Sequence, residues 1–375
     1  WLFGSWNGMR FGSSTKYLFL YVINNCTDIQ AVWITKNKIV FEHLKNKSLP
    51  VTYAWSLKGI LLCFRAEVIF ITHLIYDINL CISDGSIIVQ LFHHVLPLKF
   101  MSPYRDYKND STLKKIRNML KNPHTLRKPD YYISSSKWLT NNITIPKLWA
   151  DSEKVLETGF PRSDAILNNS EYENDNNYLK ELISYNGNSI PTIVYYLPTH
   201  RDHSSNFNPF QYEFDINLLN KLLKQSNAYF IYKFHPRDYE RLSNRLNPKY
   251  NRIILEKNGF QDPYVVLRNA KVLIVDYGST FSDFLLLSRP IIFAHFDLDE
   301  YCRIRKLNWD YNKFTPGYKA NNWNLVIQSL KEILIEKKDR FKKDRDLLRD
   351  HIYQFKDTKN SKRVVEMIKS ISANN

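Results

Sequence analysis

Short apolar runs alternate with amphipathic stretches along the second half of the chain. Residues 215–224 carry Leu or Ile at positions 216, 218, 219, 222 and 223, and this spacing predicts a helix. Runs rich in Ile, Val and aromatic residues predict strands at Thr192–Leu197, Ala228–Phe234, Arg252–Glu256, Lys271–Val275 and Pro290–Phe293. Strands that alternate with helices in this way are typical of a doubly wound parallel sheet, an α/β fold.

The first half of the chain repeats this alternation less regularly. Its candidate strands are Ala31–Thr35, Val68–Thr72, Ile87–Phe92, Tyr131–Ser134 and Lys154–Glu157, and its candidate helices lie near Ser14–Val22 and Thr112–Leu120. We therefore expect a second Rossmann-like α/β unit. A polar stretch at 185–189 predicts the linker, which gives an N-terminal domain at 1–185 and a C-terminal domain at 186–375.

The pattern turns helical after Tyr318. Charged residues dominate Lys331–Arg349, and apolar residues recur periodically over Arg363–Ile371. Because acids alternate with the lysines, a solvated helix with one buried stripe is favoured over an arm that binds nucleic acid. The sequence thus predicts that the C-terminal domain closes with a helical segment.

Composition narrows the class of protein. The chain has 375 residues, 44% of them apolar, and 53 Lys plus Arg against 37 Asp plus Glu give a formal net charge of +16. These values exclude collagen-like and wholly disordered chains and favour an anionic partner.

Four cysteines without a CxxC pair indicate neither a disulfide framework nor a zinc site. No run reaches the ~18 apolar residues of a membrane span, and because the chain starts at Trp1 we expect a segment upstream.

Polar residues follow three of the predicted strands in the second half. The strand ends carry Pro198–Arg201, Lys233–Pro236 and Asp276–Thr280. Because the carboxyl ends of parallel strands share one edge of a sheet, these residues are expected to converge there. The cations, the imidazole and the hydroxyls of this set suit a diphosphate group, and its members are Arg201, Lys233, His235, Ser279 and Thr280.

Each member of this set also has a purely structural interpretation. Ser279 could be only a helix N-cap, and His235 only part of a turn. The chain has no Walker-type phosphate loop and no GxGxxG fingerprint. Asp297-Leu298-Asp299 spells a DxD triplet that could hold a divalent metal, but a solvated acidic loop is favoured.

Two further segments of the first half carry candidate chemistry. His93 and His94 follow an apolar strand, and a neutral imidazole there could take a proton from a hydroxyl or could be a structural histidine. In the segment Gly159–Asp164, Arg162 and Asp164 could pair to make a loop rigid.

The ordered set of these segments resembles the CDP-glycerol glycerophosphotransferase family, the polymerases and primases of teichoic acid and capsule synthesis. The resemblance spans nearly the whole chain and rests on Trp1–Arg10, His94–Lys99, Gly159–Asp164, Pro198–Arg201, Lys233–Pro236, Asp276–Asp283 and Asp297–Tyr301. It implies a GT-B fold, two facing Rossmann-like domains of which the C-terminal one holds the CDP-alcohol donor.

The resemblance also implies roles for individual residues. His94 matches the histidine of the family's HGxxLK motif, the proposed base, although His93 is an open alternative because Val95 replaces the glycine. His235 matches the histidine of the KxHP motif, which binds the donor diphosphate, and Arg201, Lys233 and Ser279 fall at donor-binding positions. Gly278 stands where the family's DYSS motif has its first serine, so Ser279 and Thr280 are expected to supply the donor-binding hydroxyls instead. Lys99, Arg162, Asp164 and Asp276 are assigned structural or acceptor-side roles.

The activity that the resemblance implies is transfer of an alditol phosphate. Glycerol 3-phosphate from CDP-glycerol, or ribitol phosphate from CDP-ribitol, would pass to a hydroxyl of an anionic polymer or lipid-linked acceptor, with release of CMP. The scheme needs no metal and no cofactor. The alternatives are a GT-B glycosyltransferase that uses a nucleotide sugar and a catalytically silent protein that binds polyanions. Nucleic acid is not an expected partner, because no recognised nucleic-acid motif accompanies the charge.

The basic charge also bears on location. An anionic inner leaflet and a phosphate polymer would both attract a chain of this charge. Together with the resemblance to enzymes of teichoic acid synthesis, this charge leads us to expect a cytoplasmic protein that lies peripherally on the inner face of the bacterial plasma membrane.

Overall fold

The structure, a computed structural model, describes residues 1–82, 85–98, 111, 127–148, 150–168, 173–185, 187, 190–201, 207–244, 250–257 and 262–374. The chain divides into two compact units. The first comprises residues 1–95, 101–165 and 351–375, and the second comprises residues 96–100 and 166–350. The predicted helix at 112–120 and the candidate residue Lys99 lie outside the described residues.

The described part of the first unit is built on a seven-stranded parallel sheet. Its strands are β1 (Leu2–Phe3), β2 (Val32–Thr35), β3 (Val51–Tyr53), β4 (Val68–Ile71), β5 (Ile87–Gln90), β6 (Tyr131–Ser134) and β7 (Val155–Glu157), in the order β3-β2-β1-β4-β5-β6-β7. Its helices include α1 (Ser13–Asn25), α2 (Lys38–Asn46), α3 (Leu57–Arg65), α4 (Lys137–Leu139), α5 (Ile145–Leu148) and α6 (Pro161–Leu167). Every residue of β2, β4 and β5 is buried, as expected for strands covered on both faces.

The described part of the second unit contains a six-stranded parallel sheet. Its strands are β8 (Thr192–Leu197), β9 (Ala228–Tyr232), β10 (Ile253–Leu255), β11 (Val272–Val275), β12 (Ile291–Ala294) and β13 (Tyr318–Ala320), in the order β10-β9-β8-β11-β12-β13. Its helices include α7 (Glu173–Leu182), α8 (Ile216–Gln225), α9 (Pro236–Leu242), α10 (Tyr264–Asn269), α11 (Thr280–Phe284), α12 (Leu298–Ile304), α13 (Tyr311–Phe314) and α14 (Trp323–Leu334). The Trp323 ring lies at the centre of the core, against Tyr196, Phe210 and Phe230.

Two C-terminal helices follow, α15 (Lys342–Ile352) and α16 (Asn360–Ala373). The charged stretch is divided between α14 and α15, and its ion pairs include Lys342–Asp346 and Arg349–Asp346. This arrangement agrees with the expected solvated helix, since acids and bases neutralise each other on the surface.

The division into units differs from the expected boundary at 185 in three respects. Residues 96–100 belong to the second unit although they were expected in the N-terminal domain. The main part of the second unit begins at Ile166, and α7 contributes Tyr178, whose hydroxyl donates to Glu256 of that unit. Residues from His351 onward belong to the first unit rather than to the second, because α16 packs on α1. The chain therefore returns to its first unit at the C terminus.

The pattern analysis located most strands but missed β1, β3 and β13. Each of these strands has only two or three residues, which leaves little pattern to detect, although β7 and β10 are as short and were predicted. The prediction that the chain becomes helical after Tyr318 was wrong for the two residues that follow it, because they belong to β13, which pairs in parallel with β12. In the part of the chain that is described, no helix combines the length and apolarity needed to cross a membrane.

Candidate functional site

The carboxyl ends of β8, β9, β11 and β12 bring the candidate residues of the second unit to one edge of its sheet. All of these strands run in parallel, so the segments that follow them meet at this edge. The segment after β8 supplies Arg201, the one after β9 supplies Lys233 and His235, and the one after β11 supplies Asp276 and Ser279. The predicted convergence at a single edge is therefore confirmed.

Arg201 lies at the centre of a buried ion-pair network. Its Nε and Nη2 donate to the two carboxylate oxygens of Asp297, at 2.7 and 2.8 Å. Its Nη1 lies 2.9 Å from Oδ2 of Asp276, and Asp276 also accepts hydrogen bonds from the backbone N–H of Thr199. With its side chain 1% exposed, Arg201 ties the segments after β8, β11 and β12 together.

Aromatic rings enclose this guanidinium. Phe207, Tyr277 and Tyr301 lie 4.1, 4.7 and 5.1 Å from it, measured to the ring centroids. Burial alone would lower the pKa of Arg201, but the two carboxylates beside it raise that pKa above its ordinary value. The arginine is thus held in its charged form.

The expectation of a solvated acidic loop at the DxD triplet was wrong for Asp297. Its side chain is 5% exposed because both oxygens accept from the buried Arg201. Asp299, two residues on, is exposed in the first turn of α12. The first carboxylate therefore belongs to the ion-pair network.

Lys233 lies in a second buried network. Its Nζ is 2.6 Å from Oε1 of Glu256, which is fully buried and also accepts from the hydroxyls of Tyr195 and Tyr178. Burial, followed by the nearby carboxylate, raises the pKa of Tyr195 above its usual value. The sequence analysis gave Glu256 no role. Its position at the end of an apolar strand was the available signal, because a carboxylate buried there needs a cation or a hydrogen-bond donor as its partner.

His235 caps α9 and lies beside His200. Its Nδ1 accepts from the backbone N–H of Arg237 at 3.2 Å, and the two imidazole rings are nearly parallel, with centroids 5.1 Å apart. Nδ1 of His200 lies 2.8 Å from Oδ2 of Asp238. Among the described residues, His200, His235 and Asp238 form the group with the spacing that could hold a metal ion. The sequence analysis quoted His200 within its segment but gave it no role.

The hydroxyls at the start of α11 are partly exposed. Ser279 is the N-cap residue of α11, but its side chain makes no capping hydrogen bond; its carbonyl accepts from Ser282 instead. Ser279 and the following Thr280 are both half-buried. Both residues therefore keep part of their surface accessible at the sheet edge.

Histidines form a stack at the corresponding edge of the first sheet. The rings of His73 and His93 lie face to face, with their centroids 3.9 Å apart and their planes 2° from parallel. The centroid of the Trp6 ring lies 4.6 Å from that of His73 and 5.5 Å from that of His93. His94 meets His93 edge-on at 4.5 Å. The stack joins the segments after β1, β4 and β5. The sequence analysis missed His73 because this residue lies in none of the motifs on which the resemblance rests.

The two histidines of the pair differ in their surroundings. Nδ1 of His93 lies 3.4 Å from the carbonyl oxygen of Thr72, and the residue as a whole is partly exposed. His94 is only 9% exposed, and within the described residues its buried Nδ1 has no hydrogen-bond partner. A carbonyl at Nδ1 favours the tautomer that leaves Nε2 as a proton acceptor.

The pKa values of all three histidines are lowered. Burial, followed by the nearby His94, lowers the pKa of His73 to about 4. Burial and the neighbouring imidazoles likewise lower the pKa of His93 and His94 well below 6.5, with Arg162 as a further cause. The cluster is therefore neutral at pH 7.

Asp77 organises the backbone around this stack. Its fully buried carboxylate accepts from the N–H groups of Asn7, Thr72 and His73, at 2.6, 2.7 and 2.9 Å. Trp6, Asn7 and Gly8 have left-handed φ angles of 51°, 57° and 77°. Trp6 and Asn7 are strained by these angles whereas Gly8 is not, and strained residues held by a buried acceptor are typical of segments that position a side chain.

Arg162 and Asp164 have separate structural partners. Nη1 of Arg162 donates to the carbonyl of Phe92 at 3.0 Å, beside the histidines. Asp164 accepts from the backbone N–H groups of Asn360 and Ser361, at 2.9 and 2.7 Å, and so caps α16.

Comparisons with known proteins agree with this geometry. The family described as CDP-Glycerol:Poly(glycerophosphate) glycerophosphotransferase matches residues 1–370. The chain is 26% identical over 344 residues to the teichoic acid glycerol-phosphate transferase of Staphylococcus aureus, which covers 88% of this chain and 83% of that protein. It is 27% identical over 331 residues to the teichoic acid poly(glycerol phosphate) polymerase of Staphylococcus epidermidis, which covers 84% of this chain but 43% of that protein.

A solved structure shares the fold. The wall teichoic acid polymerase TagF matches with a TM-score of 0.76 at 24% identity, over 100% of this chain and 89% of that chain. The same polymerase has also been solved as a variant soaked with CDPG. The predicted fold class, two parallel-sheet α/β domains of the GT-B type, is therefore confirmed.

Proposed function

This chain belongs to the CDP-glycerol:poly(glycerophosphate) glycerophosphotransferase family, and we propose that it transfers glycerol phosphate from CDP-glycerol to a hydroxyl of a teichoic-acid-like or capsular polymer. The chain is an enzyme of the glycerophosphotransferase type. CDP-ribitol is the second donor to be tested. The observation that carries the proposal is the neutral histidine cluster at the carboxyl edge of the first sheet, because a base that accepts a proton must be neutral.

The reaction is an in-line displacement at the β-phosphorus of the donor. The acceptor oxygen forms a bond to this phosphorus while the bond to the oxygen that bridges the two phosphates breaks, and CMP leaves with that electron pair. The proton of the acceptor hydroxyl passes to a histidine. Charge builds up on the phosphoryl oxygens and on the departing CMP, so catalysis depends on positioning and on hydrogen-bond donors.

We assign proton removal to the histidine pair of the first unit, and the surroundings of the two rings favour His93 over His94. His93 is partly exposed, its ring is fixed by the stack with His73, and a carbonyl faces its Nδ1. His94 is nearly buried. A base must present a nitrogen to its substrate, and His93 meets this condition better.

We assign donor binding to the second unit, through His235, Ser279 and Thr280. These side chains are partly exposed at the sheet edge where phosphate groups bind in open α/β folds. Arg201 and Lys233 support this site indirectly, because their charges already face Asp276, Asp297 and Glu256. They act as positioning residues for the segments that carry the donor ligands.

No step of this scheme is assigned to a metal ion. We expect CMP release to persist, within about twofold, after exhaustive chelation with EDTA. A loss of CMP release that Mg²⁺ or Mn²⁺ restores would overturn the metal-free scheme and direct attention to His200, His235 and Asp238.

We also propose that the enzyme works at an anionic membrane surface on the cytoplasmic side. The net charge of +16 supports this location, because both anionic lipids and a phosphate polymer attract cations. Raising the salt concentration is expected to weaken binding to either partner.

The test measures CMP release and product mass. Purified enzyme is given CDP-glycerol, CDP-ribitol or a panel of nucleotide sugars, each with and without a short poly(glycerol phosphate) acceptor. A product heavier by one or more glycerol phosphate units supports the proposal, and one heavier by ribitol phosphate changes only the donor. Transfer from a nucleotide sugar alone would replace the proposal by a glycosyltransferase.

A further inference from the structure

Helix α3 presents an apolar face to solvent. Leu57, Leu61 and Phe64 are 84%, 61% and 52% exposed, although large apolar side chains are usually buried. Their spacing of four and three residues places them on one side of the helix. Trp55, just before the helix, is 51% exposed as well. These four side chains form what we call the α3 face.

Cations flank the α3 face. From residue 43 to residue 66 the chain carries Lys45, Lys47, Lys58 and Arg65 and no Asp or Glu. On the helical wheel, Lys58 and Arg65 lie side by side, next to the apolar stripe. Nζ of Lys36 lies 5.7 Å from the centroid of the Trp55 ring. An apolar stripe with a basic border is the pattern of a helix that lies in a membrane interface.

A groove continues from this border. It has a volume of about 670 Å³ and is lined largely by apolar residues, among them Ile23, Val32 and Leu62, together with Lys45 and Lys58. Lys58 and Leu62 belong to α3, so the groove adjoins the basic side of the α3 face. Its two lysines suit the phosphate of an anionic lipid headgroup.

We propose that the α3 face docks on an anionic lipid bilayer, with Trp55, Leu57, Leu61 and Phe64 entering the interface and the flanking cations contacting headgroup phosphates. This inference deepens the membrane location proposed above, and it names the surface responsible. Charge favours a bilayer over a second copy of the chain, because two copies of this basic border would repel each other. Tryptophan beside lysine is also typical of membrane interfaces.

Vesicle co-sedimentation of the full chain tests the apolar part of the proposal. Vesicles of phosphatidylcholine are compared with vesicles that contain about one third phosphatidylglycerol, which carries the anionic charge. The triple variant Leu57→Gln/Leu61→Gln/Phe64→Gln is expected to lower the partition coefficient on anionic vesicles by at least about tenfold. The matched control, Ile304→Gln/Leu325→Gln/Ile335→Gln, removes three exposed apolar side chains of the second unit and is expected to bind like the unmodified chain.

Charge-reversal variants test the role of the flanking cations. Lys58→Glu/Arg65→Glu is expected to reduce binding to anionic vesicles and to leave the weak binding to neutral vesicles unchanged. Lys221→Glu/Lys224→Glu on α8 makes the same change of net charge on exposed residues elsewhere and serves as its control. Equal loss in both variants would show that overall charge, rather than this surface, drives binding.

Three results would overturn the proposal. The first is that the unmodified chain does not bind anionic vesicles. The second is that the α3 variant binds these vesicles as well as its control does. The third is that the α3 variant differs from the unmodified chain only in the molar mass measured by light scattering, which would indicate that the α3 face mediates self-association. CMP release with a water-soluble acceptor is followed in every variant. Because α3 carries no proposed site residue, loss of vesicle binding with unchanged release separates this proposal from the proposed function.

Discussion

The adjacent histidines His93 and His94 differ in what surrounds their rings, and this difference predicts different kinetics. His93→Asn is expected to lower kcat for CMP release by at least about 100-fold, because Asn cannot accept the proton. His94→Asn is expected to stay within about tenfold of the unmodified enzyme. KM for the CDP-alcohol should change little in either variant, since the proposed donor ligands belong to the second unit.

The sequence-based assignment of the base to His94 makes the opposite prediction. A large loss of kcat in His94→Asn, with His93→Asn active, would restore that assignment. A fall in donor affinity equal to the fall in kcat would contradict a role as base for either histidine.

Arg201 is predicted to matter first for stability. Arg201→Met leaves Asp276 and Asp297 buried without their cation, and the free energy of unfolding is expected to fall by about 3–5 kcal/mol. Chemical denaturation measures this change, and exposed Arg303→Met is the control. A variant that keeps its stability but loses donor affinity would show that Arg201 contacts the donor directly.

His73 makes stability depend on pH. In the unfolded chain this imidazole takes up a proton near pH 6.5, whereas burial lowers its pKa to about 4 in the folded chain. The unfolded state therefore binds more protons between these values, and the free energy of unfolding should fall as the pH drops from about 6.5 to about 4. Guanidinium denaturation at about pH 7.5 and about pH 5 measures the fall.

The variant His73→Asn should show a shallower fall, with His93 and His94 still contributing. Exposed His351→Asn, in the same unit, is the control. An unchanged slope in His73→Asn would contradict the assignment of this pH dependence to the stack.

At the scale of secondary-structure elements, one carboxylate joins α6 to α16. Asp164 lies in α6 and accepts from the first N–H groups of α16. The turn before α6 requires Gly159, because its φ is +80° and a Cβ there would meet the Asn360 side chain at 1.8 Å. The segment Gly159–Asp164 therefore serves as the attachment point of the C-terminal helix.

Asp164→Ala is expected to lower the free energy of unfolding by about 1–2 kcal/mol, the usual cost of losing a helix N-cap. The measurement is chemical denaturation, with exposed Asp151→Ala as the control in the same unit. Proteolysis should also release the C-terminal helix faster from Asp164→Ala. Equal stability of the two variants would mean that packing on α1 alone holds the helix.

For the whole molecule, the return of the C terminus to the first unit predicts an uneven response to truncation. Removing residues 351–375 strips Val364, Val365 and Ile368 from the first unit, and these side chains are buried against it. Hydrogen exchange should therefore speed up in β1–β7 and stay unchanged in β8–β13. Equal loss of protection in both sheets, or no loss in either, would contradict this account.

Much of the molecule was predictable from the sequence. The alternation of apolar runs and amphipathic stretches determined the α/β class, the position of β8, and the sheet edge at which Arg201, Lys233, His235 and Asp276 meet. These features follow from the sequence because a buried strand or a buried helix face requires apolar residues at regular positions along the chain.

Only the tertiary structure decided which residues pair with each other. Arg201 and Asp297 are 96 positions apart, and Lys233 and Glu256 are 23 apart, so no local period records either pair. The same holds for the stack of His73 on His93 and for the docking of α16 on the first unit. Periodicity reports whether a residue is buried, whereas its partner depends on how distant segments pack. The sequence therefore determined the fold class and the candidate residues, and packing decided which of them are engaged in the interior and which stay partly exposed at the sheet edges.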